Sequence, residues 1–118
     1  LTSKTNEGAR ESGLPFESVK FKDELYHEDA SQWERVFSDM GGNDYRGSSI
    51  VSGAALKGCI AAGLIESPET EVLKDKRGKS RYFIGGLDVD KMSAAQVITI
   101  GVQCLRYYRS MTEPDSKN

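Results

Sequence analysis

The sequence predicts a small α+β domain: two short β-hairpins packed with three helices around a buried central helix over residues 48–62. Apolar residues recur at helical spacing in three stretches, and short apolar runs flank turn-forming residues in two others. A chain of 118 residues also has room for one core. Apolar residues make up 37% and charged residues 29%, a polar but globular balance. The domain is expected over 14–111, between an extended N-terminal arm, 1–13, and a C-terminal tail, 112–118. Both ends are rich in Ser, Thr, Asn and charge and lack periodicity.

After Pro15, the run Phe16–Phe21 alternates, Lys22-Asp23 offers a turn, and Glu24–His27 returns. Val19, Phe21, Leu25 and His27 would then share one face of a first hairpin. Asp29 or Ser31 is a candidate cap for a helix over about 30–40. In it Trp33, Val36, Phe37 and Met40 stand at i, i+3, i+4 and i+7, a single apolar stripe. That stripe marks Trp33 as a core residue, and Gly41-Gly42-Asn43 ends the helix.

Ser48 or Ser49 opens the next helix, which runs to about Ala62. Its apolar residues cover nearly the whole circumference and Lys57 is its only charge, a pattern of burial on all sides. Gly63 is the expected residue after the C-cap, with Leu64 folding back. Glu71–Leu73 and Arg81–Ile84 form a second hairpin around the tip Lys74-Asp75-Lys76-Arg77-Gly78-Lys79-Ser80. Ser93 and Gln96 make a capping box for a last helix running to about Ser110. There Val97, Ile98, Ile100, Val102, Cys104, Leu105, Tyr108 and Met111 spread over about 200° at 100° per residue. So wide a face exceeds what one small sheet covers, which points to a protein interface at Ile100, Cys104, Tyr107, Tyr108 and Met111.

Several chemistries find no residues to carry them. His27 is the only histidine, and no nucleophile–base set or G-x-S-x-G elbow occurs, so no enzyme is expected. The glycines from Gly47 to Gly53 resemble phosphate-loop spacing, but Ala54 stands where the lysine is needed. Asp88 and Asp90 supply two oxygens where Ca²⁺ needs several more, and read instead as acids ahead of a helix N-terminus. Cys59 and Cys104 lie in apolar helical contexts, the setting of buried free thiols in a reducing compartment. No cofactor and no metal are expected. The longest apolar run, Ile50–Ile65, is interrupted by Ser52, Gly53, Lys57 and Gly58, so no membrane span is expected.

Net charge is −2, which gives no global pull toward nucleic acid. The one concentrated charge feature is the second hairpin, with Lys74, Lys76, Arg77, Lys79 and Arg81. The order helix, Gly63-Leu64-Ile65, strand, basic turn, Arg81-Tyr82-Phe83-Ile84, long helix resembles the second half of a winged-helix domain, over residues 48–110. In that family the helix before the wing reads the major groove and the wing touches phosphate. The resemblance therefore implies phosphate contacts from those five basic side chains. The preceding helix holds no Arg, Asn or Gln to read bases, which limits the implied contact to phosphate.

The expected function is thus a non-enzymatic interaction or assembly module, a small subunit of a larger protein assembly or homo-oligomer. A phage or virion structural protein is one concrete version, and the expected setting is the cytoplasm or a virion. Winged-helix-like nucleic-acid binding is the alternative.

Overall fold

The computed structural model describes residues 13–44 and 47–112. Of the expected arm over 1–13 and tail over 112–118, all but Gly13 and Thr112 lie outside the described residues, and Thr112 ends the last helix. The architecture is α+β, with three α-helices and two small antiparallel sheets of two and three strands. In chain order these are β1 (Lys20–Phe21), α1 (His27–Asp39), α2 (Ser48–Ala61), β2 (Ile65–Ser67), β3 (Thr70–Lys74), β4 (Ser80–Ile84), β5 (Leu87–Asp88) and α3 (Ala94–Thr112). Short 3₁₀ turns at Gly42–Asp44 and Val89–Lys91 precede α2 and α3.

The first hairpin is a correction. β1 pairs with β2, through Lys20↔Ser67 and Phe21↔Ile65, and not with residues 24–27. Lys22 N–H donates to the Leu64 carbonyl at 2.9 Å, which carries the chain past β2 instead of turning it back. Lys22-Asp23 has no glycine to supply the left-handed backbone that tight hairpins favour. His27 begins a helix, so α1 starts three residues before the expected 30. Its cap is Tyr26, not Asp29 or Ser31. Asp29 acts from inside the first turn, where its Oδ2 accepts the Tyr26 N–H at 3.4 Å. Glu28 and Asp29 both sit at the positive end of the helix dipole.

The other local signals act as their chemistry dictates. The α2 C-terminus is a Schellman motif: Leu64 N–H donates to Cys59 O at 2.9 Å and Gly63 N–H to Ile60 O at 3.1 Å, with Gly63 at φ +70°. At α3, Ser93 N–H donates to Gln96 Oε1 at 2.8 Å and Gln96 N–H to Ser93 Oγ at 3.2 Å. Two of the free donors at the helix start are thereby satisfied.

α2 packs against both α1 and α3, and its small residues set the spacing. An added methyl at Gly58 would lie 2.9 Å from Trp33 Cδ1. At Gly101 of α3 it would overlap the Ser52 carbonyl. Ser52, Ala54, Ala55, Leu56, Gly58, Cys59 and Ile60 are buried, while Ile50 in the first turn is exposed. Trp33 is sandwiched by Phe37 at 4.6 Å and Tyr108 at 3.7 Å between ring centres, joining α1 to α3. Leu56, Leu64, Ile84 and Ile100 are all fully buried, and each contributes roughly 1.5–3 kcal/mol relative to exposure. No helix among the described residues is long and apolar enough to cross a membrane.

Candidate functional site

The centre of the apolar arc of α3, at Val97, Ile100, Cys104 and Tyr108, is spent inside the chain, while Ile98, Val102 and Leu105 are half-buried. Ile100 and Cys104 have no exposed surface and Tyr108 is 6% exposed, so the interface expected there is corrected. Tyr108 O–H donates to Glu34 Oε2 at 2.5 Å, and burial followed by that bond pushes the phenol pKa upward. α2 and α1 cover the arc: Gly101 abuts Ser52, Cys59 Sγ lies 4.0 Å from Cys104 O, and Tyr108 stacks on Trp33, while residues 17–22 pack along the Gln103–Tyr107 flank. Gln103 Oε1 accepts Val19 N–H at 3.2 Å, and its Nε2 donates to Glu17 O at 3.0 Å. Tyr107 stacks on Phe21 at 4.3 Å and donates its O–H to Lys22 O at 2.9 Å. Of the expected set, Met111 stays exposed at 37% and Tyr107 is half-buried. Cys59 and Cys104 are free and buried, and desolvation raises the Cys104 thiol pKa well above its ordinary value. Thiolate chemistry is suppressed there.

The exposed feature is the hairpin of β3 and β4. Its register is continuous from Thr70↔Ile84 to Lys74↔Ser80. At the tip Gly78 takes φ +81°, its N–H donates to Asp75 O at 2.9 Å, and Asp75 N–H donates to Lys79 O at 2.8 Å. The Asp75 carboxylate accepts the Lys79 and Arg77 N–H groups, each at 2.9 Å. The Lys79 amide above all holds its pKa below the ordinary carboxylate value. The only acid of the tip is therefore committed to the loop backbone.

The basic residues divide into two groups. Lys74, Lys76, Arg77 and Lys79 are exposed, and no ion pair holds them among the described residues. Arg81 is different. Its Nη2 lies 2.6 Å from Asp88 Oδ2 and its Nε 3.8 Å from Asp90 Oδ2. That hydrogen bond raises the Arg81 pKa and lowers that of Asp88. Lys57, the one charge of α2, is likewise held by Asp90 at 2.7 Å. Asp88 and Asp90 thus neutralise the root of the arm, and Asp88 also caps the 3₁₀ turn by accepting Asp90 N–H. Arg81 is consequently a structural residue rather than a free cation. Among the described residues no group of three or more His, Cys, Asp or Glu is placed to hold a metal.

Sequence reasoning placed the strand leading to the tip but missed its exposure. Val72 and Leu73 are 41% and 46% exposed. As neighbours in a strand they point to opposite faces, so neither face of β3 is fully covered at that point. β3 also ends the sheet order β3-β4-β5, which leaves its outer side open. The available signal was two adjacent apolar residues in a short strand, since a one-sided sheet buries only one of such a pair. No protein-family model, curated protein or solved structure matches the chain at a significant level.

Proposed function

We propose that this chain is a non-enzymatic interaction module, a subunit that docks on protein partners through the β3–β4 arm. The observation that carries this reading is the exposure of Val72 and Leu73 on opposite faces of an edge strand. Proteins ordinarily blunt such edges, and apolar side chains on both faces of one are a liability unless a partner covers them. Covering both would remove about 25 cal/mol of unfavourable hydration for each Å² of apolar surface. The test is the native mass of the protein isolated from the cells that make it, compared with a Val72→Lys/Leu73→Lys variant. A mass above that of one chain, reduced by the variant, supports the module. A single-chain mass for both overturns it.

A second reading has its own observation, the four exposed cations of the tip. Phosphate contact by Lys74, Lys76, Arg77 and Lys79 would make duplex affinity fall with salt at a slope of about −0.9 per contact. Lys76→Glu/Arg77→Glu would then weaken duplex binding and flatten that slope. Duplex binding indifferent to the charge reversal would sink the phosphate reading.

A further inference from the structure

We infer that the open edge of β3 accepts an extended segment of a partner protein as an added antiparallel strand, with acidic residues at the segment's N-terminal end. This inference rests on the docking reading above and specifies its geometry. Hydrogen bonds at the two ends of the hairpin fix which backbone groups are free. Gly85 N–H donates to Glu69 O, and Asp75 N–H to Lys79 O, each at 2.8 Å. In an antiparallel ladder the bonded pairs alternate, so Glu69, Glu71, Leu73 and Asp75 face β4. Thr70, Val72 and Lys74 therefore turn their N–H and C=O groups to the open side. No backbone or side-chain partner engages those groups among the described residues.

That side is a straight template. β3 has neither a bulge nor a proline, and five residues at 3.4 Å each give an edge of about 17 Å. Main-chain bonds of this kind supply affinity in strand addition, and alternate side chains supply selectivity. Charge sets the polarity of the guest. An antiparallel strand begins beside the tip, where Lys74, Lys76, Arg77 and Lys79 stand free and Asp75 is tied to its own loop. It ends beside Glu69 and Glu71, which repel acids. At that end a depression of about 590 Å³ lies over Phe83 and Gly85–Gly86, bounded by Pro68, Glu69 and Glu71. A guest side chain opposite Glu71 projects on the Phe83 face and reaches it. The fitting guest is acidic first and apolar-alternating after.

The experiment is amide hydrogen exchange on the full chain with a short synthetic peptide, Asp and Glu residues first, then alternating Val and Thr. Controls carry the same residues in reversed order, or Lys in place of the acids. The expected result is slowing by at least about tenfold at Thr70, Val72 and Lys74, with Glu71 and Leu73 unchanged because β4 already protects them. The slowing weakens with salt and is absent for both controls. Val72→Pro abolishes it while Glu71 and Leu73 stay protected, because the lost N–H faces outward and a Pro there leaves the β4 ladder intact. The inference is overturned by equal protection from the Lys peptide, by binding that survives Val72→Pro, or by no protection at all. Protection that appears with protein concentration alone also overturns it, because a second copy would then be the occupant. Duplex DNA that shifts the tip while the acidic peptide does nothing does so as well. If the peptide fails but Val72→Lys/Leu73→Lys still lowers the native mass, docking by the arm stands and only strand addition falls.

Discussion

Leu56 and Leu73 are the same side chain in two regions of one small protein, and they meet opposite fates. Leu56 lies in α2 between two other helices and has no exposed surface, whereas Leu73 lies in β3 and is 46% exposed. Around Leu56 spacing is set by backbone approach, with Gly58 under the Trp33 ring and Gly101 against Ser52. Around Leu73, among the described residues, a strand neighbours one side and none pairs on the other. Hydrophobicity alone therefore does not place a residue in this fold. Placement depends on whether a second element can come close enough, which small residues allow in the helix cluster and nothing provides at the arm.

The largest effect should come from breaking the helix cluster. Trp33→Ala removes a ring sandwiched by Phe37 and Tyr108, at an expected cost of about 3–5 kcal/mol in a urea titration. A loss under 1 kcal/mol would mean that α1 is not held to α3 by that stack. Gly101→Ala comes next. The added methyl meets the Ser52 backbone, which yields only if the helices separate, so about 1–3 kcal/mol is expected. A neutral or stabilising result, as expected for Gly→Ala at an open helix position, would refute the close approach.

Much of that cluster was legible in the sequence because its signals are local. The stripe from Trp33 to Met40, the Gly63-Leu64 stop and the Ser93/Gln96 box each act within a turn or two of chain. The missed features join distant segments. β1 is two residues long, too short for alternation to reveal its partner, and that partner lies beyond both α1 and α2. The apolar arc of α3 looked like surplus because its cover is α1 and α2, reached 74 positions back at Glu34 and 45 back at Cys59, and not the small sheet. At the arm, five cations within eight residues carried no sign that Arg81 turns back to Asp88. The exposed edge was legible only in part, since periodicity reports which residues share a face but not whether anything lies beyond it.

Acid sharpens the contrast at the root of the arm, where an ion pair does what packing does elsewhere. Arg81 holds the Asp88 carboxyl below its ordinary value of 3.8. A carboxylate with a depressed folded pKa binds protons less readily folded than unfolded. Its stabilisation is therefore full above the ordinary value and is lost as pH falls through the lower, folded one. The stability gap between wild type and Asp88→Asn should be constant near neutrality and shrink below about pH 4. Denaturant midpoints across that window measure it. A gap that does not narrow would show that Asp88 acts through its cap on Asp90 N–H and not through its charge.

The smallest effect belongs to the arm itself. Val72→Thr and Leu73→Thr both leave a β-branched residue in the strand and remove apolar surface that is already nearly half in water. Each should shift stability by no more than about 0.5 kcal/mol, and thermal midpoints should be independent of protein concentration. The same exchange at Leu56 buries an unmatched hydroxyl and opens a cavity, so it should cost several times more. If the arm substitutions cost as much as the core one, or if the midpoints rise with concentration, Val72 and Leu73 are already covered in the isolated protein. The edge would then be occupied by another copy. If the cost is small, the two side chains contribute little to the fold, the outcome that the proposed docking requires.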